Sequence, residues 1–131
     1  MFTYDSSYDP PAPVVQVRIK DHRRAISTPV FAALLDSGAD CSSIPLSKPD
    51  QRLFDYEVGQ VEDFTGQPVT VRFIRFLRAT VELLNGNGDV MNQKRFDNLR
   101  LFVGPEGLLG RDILKSHICE LNGPAGVLKV H

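Results

Sequence analysis

Residues 33–40 read ALLDSGAD, an apolar run that ends abruptly in Asp36-Ser37-Gly38. Such a run is typical of a buried strand, and an acidic residue directly after it places a carboxylate at the mouth of the core. The serine hydroxyl can hydrogen-bond to nearby backbone, and the glycine lets the chain turn closely. Taken alone, the tripeptide also fits a plain turn, because Asp-Ser/Thr-Gly occurs by chance in about one chain in twenty of this length.

A second motif, GLLGRDIL at residues 107–114, gives the first one a context. Its apolar pair and Gly110 lead directly into a segment whose apolar residues have helical spacing, with basic residues towards its end. We therefore predict one short helix over 111–118.

The rest of the chain is predicted to form short strands separated by turns. Val15, Val17 and Ile19 alternate with polar residues, which is the period-two pattern of a half-buried strand. Further strands are predicted over 29–35, 56–62, 68–84, 96–103, 119–121 and 127–130.

These segments predict an all-β protein with a small closed β-fold and one short C-terminal helix. The strands over 56–62 and 68–73 form a hairpin whose tip lies near Gly66. Residues 42–55, which contain two prolines and many polar residues, are predicted to be a loop. The Pro-rich residues 1–13 are predicted to be a flexible arm ahead of a single domain over 14–131.

Composition excludes several functional classes. Fifteen Lys and Arg against sixteen Asp and Glu give a formal charge of -1, so the chain has no overall field for nucleic acid or an anionic membrane. Its apolar runs fall far short of the roughly 20 residues that cross a bilayer, and no secretory signal is visible at its start. Two cysteines are too few for a disulfide scaffold. We expect a cytoplasmic protein that binds neither nucleic acid nor membrane.

With LLDSGAD followed by LLGRDIL, the chain resembles the retropepsin-like aspartic proteases. This single-domain group includes the retroviral proteases and the protease-like domain of ubiquitin-shuttle proteins. The predicted elements follow the family's order, from the first strand pair to the terminal strand, and the resemblance covers residues 14–130. It implies the retropepsin fold and peptide or protein substrates that bind as extended segments.

The resemblance implies roles for residues in both motifs. Asp36 would be the catalytic aspartate, Ser37 would form a hydroxyl network between two active-site loops, and Gly38 would offer its carbonyl to a bound peptide. Ala39 and Asp40 would continue the substrate-binding wall.

From the second motif, Leu109, Gly110 and Arg111 would support the site. Arg111 would pair with Asp40 in a largely buried ion pair; the alternative is that both charges face water.

The hairpin would fold over substrate as a flap, with Phe64, Thr65 and Gly66 at its tip. The single glycine there is fewer than many family members have at this place. Phe64 could equally be an ordinary core residue.

The mechanism implied by the resemblance needs two carboxylates about 3 Å apart that share one proton. The chain holds a single Asp-Ser/Thr-Gly, so we expect a C2 homodimer with one Asp36 from each subunit, held together by a sheet of terminal strands from 119–130. No metal or organic cofactor is needed. The alternative is a catalytically weak or inactive module of the same fold that dimerises or binds peptide.

The sequence gives less support to three other kinds of site. Cys41 and His117 could form a thiol–base pair, although a packed cysteine and a surface histidine are the simpler interpretation. No histidines and cysteines have the spacing of metal ligands. Arg72, Arg75 and Arg78 resemble a basic patch, but residues three apart do not share one face of a regular strand.

Overall fold

The computed structural model describes residues 1–131, which form eleven strands and two short helices. The strands are β1 (Phe2–Thr3), β2 (Val14–Asp21), β3 (Ile26–Ser27), β4 (Phe31–Leu35), β5 (Ser43–Ile44), β6 (Asp55–Glu62), β7 (Pro68–Leu84), β8 (Val90–Val103), β9 (Gly107–Leu109), β10 (Cys119–Asn122) and β11 (Val127–Val130). The helices are α1 (Lys48–Gln51) and α2 (Arg111–Leu114). Neither is long and apolar enough to cross a membrane.

Six strands close into a barrel in the order β2-β4-β9-β5-β8-β7, and β7 pairs back onto β2. Most pairs are antiparallel, but β4–β9 and β5–β8 are parallel. A separate sheet of β1, β11 and β10 contributes Phe2 and Leu128 to the core. The prediction of a closed all-β fold is confirmed.

The barrel interior is filled by alternate residues of its strands. Val15, Val17 and Ile19 of β2 are buried together with Val81 and Leu83 of the adjacent β7, while the polar residues between them on β2 are less buried. Removing these apolar side chains from water is the main driving force for folding. The period-two pattern therefore identified the core face of β2 correctly.

The start of the chain is more ordered than the predicted flexible arm. Residues 2–3 form β1, which pairs with β11, and the Phe2 ring is only 6% exposed within the core. A backbone bridge also joins Asp5 to Ala12. The prolines at positions 10, 11 and 13 lie beyond β1, so they do not prevent the aromatic ring from being buried or the backbone from pairing.

Two other segments differ from prediction. The predicted loop over 42–55 contains β5 and α1, whose first turn is capped by the Ser47 hydroxyl accepting from the Asp50 N–H. The predicted helix over 111–118 ends at Leu114, because Ile118 already exchanges two backbone hydrogen bonds with His131 beside the terminal hairpin. Long-range pairing here outweighs local helical spacing.

One carboxylate is buried in the barrel wall. The Glu82 side chain is 2% exposed, receives a 2.8 Å hydrogen bond from Arg18 Nε, and lies 3.6 Å from Lys20 Nζ. The hydrogen bond from Arg18 lowers the pKa of the Glu82 carboxyl below its usual 4.5, against the opposing effect of burial. The charged form of Glu82 therefore stabilises the fold.

Glu82→Gln should lower the free energy of unfolding at pH 7 by about 1–3 kcal/mol, because it removes charge-assisted hydrogen bonds. Glu82 has a lower pKa in the folded state, so its contribution is present above about pH 4.5 and is lost as the pH falls through its folded pKa. Urea unfolding from pH 7 to pH 3 should show the two proteins converging. The exposed Glu62→Gln should keep the wild-type profile; a constant gap between wild type and Glu82→Gln would contradict this assignment.

Candidate active site

Asp36 lies where two parallel strands end side by side. β4 and β9 pair up to Leu35 opposite Leu109, and the next N–H, that of Asp36, donates to the Leu109 carbonyl at 2.9 Å. Both motifs thus reach the same end of the barrel. The Asp36 side chain is half-buried at its mouth.

The turn after Asp36 engages one oxygen of its carboxylate. The Gly38 N–H donates to Asp36 Oδ1 at 3.0 Å, and the Ala39 N–H donates to the Asp36 carbonyl at 3.2 Å. A Cβ at position 38 would lie 3.2 Å from Oδ1, so glycine suits this close turn. Asp36 Oδ2 has no hydrogen-bond partner in the chain, which leaves it free for a group from outside.

Ser37 and Gly38 are both exposed, and the Ser37 hydroxyl makes no hydrogen bond within the chain. The hydroxyl network implied by the resemblance is therefore not formed within this chain.

The second motif packs backbone against backbone on the first. The Arg111 N–H donates to the Ala39 carbonyl at 2.9 Å, and a Cβ at Gly110 would lie 2.7 Å from that same oxygen. Leu109 and Ile113, on either side of this contact, are fully buried. The structure thus brings Leu109, Gly110 and Arg111 against the Asp36 loop.

The predicted ion pair between Asp40 and Arg111 forms, but it is not buried. Their side chains are 85% and 62% exposed in the single chain. The prediction of a largely buried pair is therefore wrong for this chain, since both side chains extend from the loop surface into solvent. Exposed pairs of this kind contribute about 0–1 kcal/mol.

A partly buried hydrogen-bond network that the sequence did not reveal joins the two loops instead. Ser42 donates through its hydroxyl to Asp112 Oδ1 at 2.5 Å and through its N–H to Asp112 Oδ2 at 2.9 Å. The Gly110 N–H donates to the Ser42 hydroxyl at 2.8 Å. Ser42 and Asp112 are 70 positions apart, and the only local signal is an acidic residue in the first turn of α2.

The β6–β7 hairpin presents its tip to solvent. Gly66 adopts a φ of +81°, as the turn requires, and the Asp63 carboxylate accepts hydrogen bonds from Thr65 and Gln67. Phe64 is fully exposed, so the alternative that it is a core residue is wrong. Within one chain, the tip residues 64–66 are not packed against the Asp36 loop.

A cavity of about 720 Å³ lies beside the site, between the β6–β7 hairpin and the loop after Asp36. Its size is in the range of ligand-binding clefts. Asp40 and Cys41 form one side and Val61 of the hairpin another, whereas Asp36 does not line it. Its apolar wall includes Phe73, Phe96, Leu99, Phe102 and Leu108.

Cys41 and His117 have separate structural surroundings. Burial raises the pKa of the Cys41 thiol, and the Asp112 carboxylate adds to this, so the protonated thiol is favoured. Burial lowers the pKa of His117, whose ring stacks on Phe96 and hydrogen-bonds to Asn92. His117 is half-buried between α2 and β8, so the prediction of a surface histidine holds only in part.

Comparison with known proteins does not identify a family for this chain. No model of a known protein family matches this chain. It is 33% identical over 69 residues to the cyclic 2,3-diphosphoglycerate synthetase of Methanosphaera stadtmanae, in a match that covers 53% of this chain and 15% of that protein. The chain therefore spans a small part of that relative's length.

Ser42→Ala should lower the free energy of unfolding by about 1–3 kcal/mol, because it leaves the Asp112 carboxylate and the Gly110 N–H with a missing partner. Arg111→Ala should cost less than about 1 kcal/mol, because its ion pair is exposed. Urea unfolding of both variants at micromolar concentration measures the difference. Equal losses, or a larger loss for Arg111→Ala, would contradict this ranking.

Proposed function

We propose that this protein is a homodimeric aspartic endopeptidase of the retropepsin type. The observation that carries the proposal is the Asp36 carboxylate, which lies at the joint end of two parallel strands with one oxygen engaged by Gly38 and the other unpartnered. A closed all-β barrel around this loop is consistent with the resemblance in sequence.

In this mechanism, two Asp36 carboxylates share one proton because like charges so close cannot both ionise. One carboxylate takes a proton from a bound water, which attacks the scissile carbonyl, while the other carboxyl hydrogen-bonds to the carbonyl oxygen. The tetrahedral intermediate collapses, the C–N bond breaks, and the carboxyl group gives the leaving nitrogen the proton that it took from water. Water is the only co-reactant, and no metal or cofactor takes part.

The second carboxylate has to come from a second copy of the chain. The terminal hairpin supports this, because β10 is an edge strand of its sheet and its outer backbone groups have no strand partner. Ile118 and Leu121, beside and on this strand, are largely exposed although apolar. A two-fold contact between two such edges would cover these side chains and bring the two Asp36 loops together.

The proposed substrate is an extended peptide that lies between the hairpin and the Asp36 loop. Gly38 and Ala39 would meet its backbone, Asp40 lines the adjacent cavity, and Phe64 and Thr65 would cover it once the hairpin closes. The apolar cavity suits apolar side chains near the cut bond. We place the protein in the cytoplasm, where the free thiols of its two cysteines would stay reduced.

A peptide-binding module of the same fold is the second candidate. It is favoured by the hairpin tip, which packs against nothing in the chain and has one glycine. Such a module would keep the dimer and bind peptide without cleaving it.

Asp36→Asn should abolish peptide cleavage, with a loss of at least about a thousandfold, because the amide cannot accept the water proton. A diverse peptide pool, incubated from pH 4 to pH 7 and analysed by mass spectrometry, measures this. Asp9→Asn, which changes an exposed carboxylate in the N-terminal segment, is the control and should cleave like wild type. Absence of cleavage by a folded, dimeric wild type would favour the binding module, and equal cleavage by Asp36→Asn would exclude the mechanism.

The dimer should sediment with a mass near twice 14.6 kDa and should lose activity on dilution. Leu121→Lys should raise the dissociation constant by about tenfold or more, because it places like charges across the two-fold contact. Val90→Lys, at an exposed apolar position of β8, is the matched control. A monomer with full activity would rule out the proposed mechanism.

A further inference from the structure

Arg100 joins the base of the exposed hairpin to the wall of the cavity. It lies on β8, and its guanidinium stacks over the Phe73 ring of β7 at 3.8 Å from the ring centroid. The same guanidinium forms an ion pair with Glu57 of β6. One side chain thus connects three neighbouring strands, and it also lines the cavity.

The neighbouring backbone leaves room for this contact. Gly59 lies next to Phe73, and a Cβ there would be 3.2 Å from Phe73 Cε2 and 3.6 Å from Arg100 Nη2. A side chain at 59 would press on the ring, whereas its Cβ would make only an ordinary contact with the guanidinium. Glycine here therefore lets β6 lie close against the stacked pair.

The opposite face of the hairpin has a smaller attachment. Arg72 donates to Gln51 Oε1 of α1 at 3.2 Å and lies over the Tyr56 ring, 5.5 Å from its centroid. Beyond these two arginines, residues 60–70 are all exposed. The direction in which this outer part projects is therefore set at the hairpin base, and Arg100 acts on the side that faces the cavity.

We propose that Arg100 is a positioning residue that fixes the β6–β7 hairpin relative to the cavity and so sets how wide the cavity mouth opens. The ion pair draws β6 towards β8, and the stacked guanidinium holds Phe73 in the cavity wall. The consequence for peptide binding rests on the proposed function, whereas the effect on the hairpin does not. Because Arg100 acts through the hairpin, its loss should weaken substrate binding more than it slows chemistry.

Hydrogen exchange of the full-length protein tests the positioning role without any need for activity. Arg100→Ala should speed amide exchange in residues 57–73 by about tenfold, the order expected when an exposed ion pair and a cation–π contact are lost together. Amides of β2 should be unchanged, which shows that the barrel is intact. Glu57→Gln, which keeps the stack and removes the ion pair, should give a smaller increase. Arg95→Ala, an exposed arginine on the same strand outside the contact, should have no effect.

The positioning role would be overturned if amide exchange in residues 57–73 were as slow in every variant as in wild type. Equal increases in Arg100→Ala and Arg95→Ala would also overturn it. In assays with a peptide that the wild type cleaves, Arg100→Ala should raise KM about tenfold with a smaller change in kcat. An unchanged KM would overturn the link between Arg100 and the cavity. A wild type that cleaves no peptide would contradict the proposed protease and leave the exchange comparison as the test of Arg100.

Discussion

The parallel contact between β4 and β9 is the constraint on which the rest of this structure depends. Gly107 and Gly110 bring β9 so close to β4 and its following loop that an added Cβ would collide with the Ala32 or the Ala39 carbonyl. This close approach aligns the ends of the two strands, so that the Asp36 N–H can donate a hydrogen bond to the Leu109 carbonyl. A side chain at either glycine would separate the motifs, and the carboxylate would lose its fixed position.

Some polar groups at this site are hydrogen-bonded within the chain, and others are left unpaired at its surface. Ser42, Asp112 and the Gly110 N–H satisfy one another in a partly buried network, and such networks hold their members in one arrangement. The Asp36 carboxylate and the Ser37 hydroxyl remain unsatisfied at the surface. This unpartnered carboxylate oxygen and hydroxyl are the observations that led us to propose a second copy of the chain.

The mobile part of the site is expected to be the hairpin. Its outer residues 60–70 are all exposed, while its base is held by Arg100 on the cavity side and by Arg72 on the other. Segments with few buried contacts open at low free energy, and binding loops commonly have this property. A closed barrel with an exposed hairpin is consistent with the proposed binding of an extended peptide.

The sequence by itself determined the features that depend on local patterns. Alternation in β2 identified its core face, and Gly66 marked the hairpin turn, because side-chain period and backbone φ are properties of a few adjacent residues. Only the tertiary structure decided that Phe2 is buried, that the Asp40–Arg111 pair is exposed, and that Ser42 meets Asp112. Those outcomes depend on which distant segments meet and how much solvent remains between them, and no short stretch of sequence contains that information.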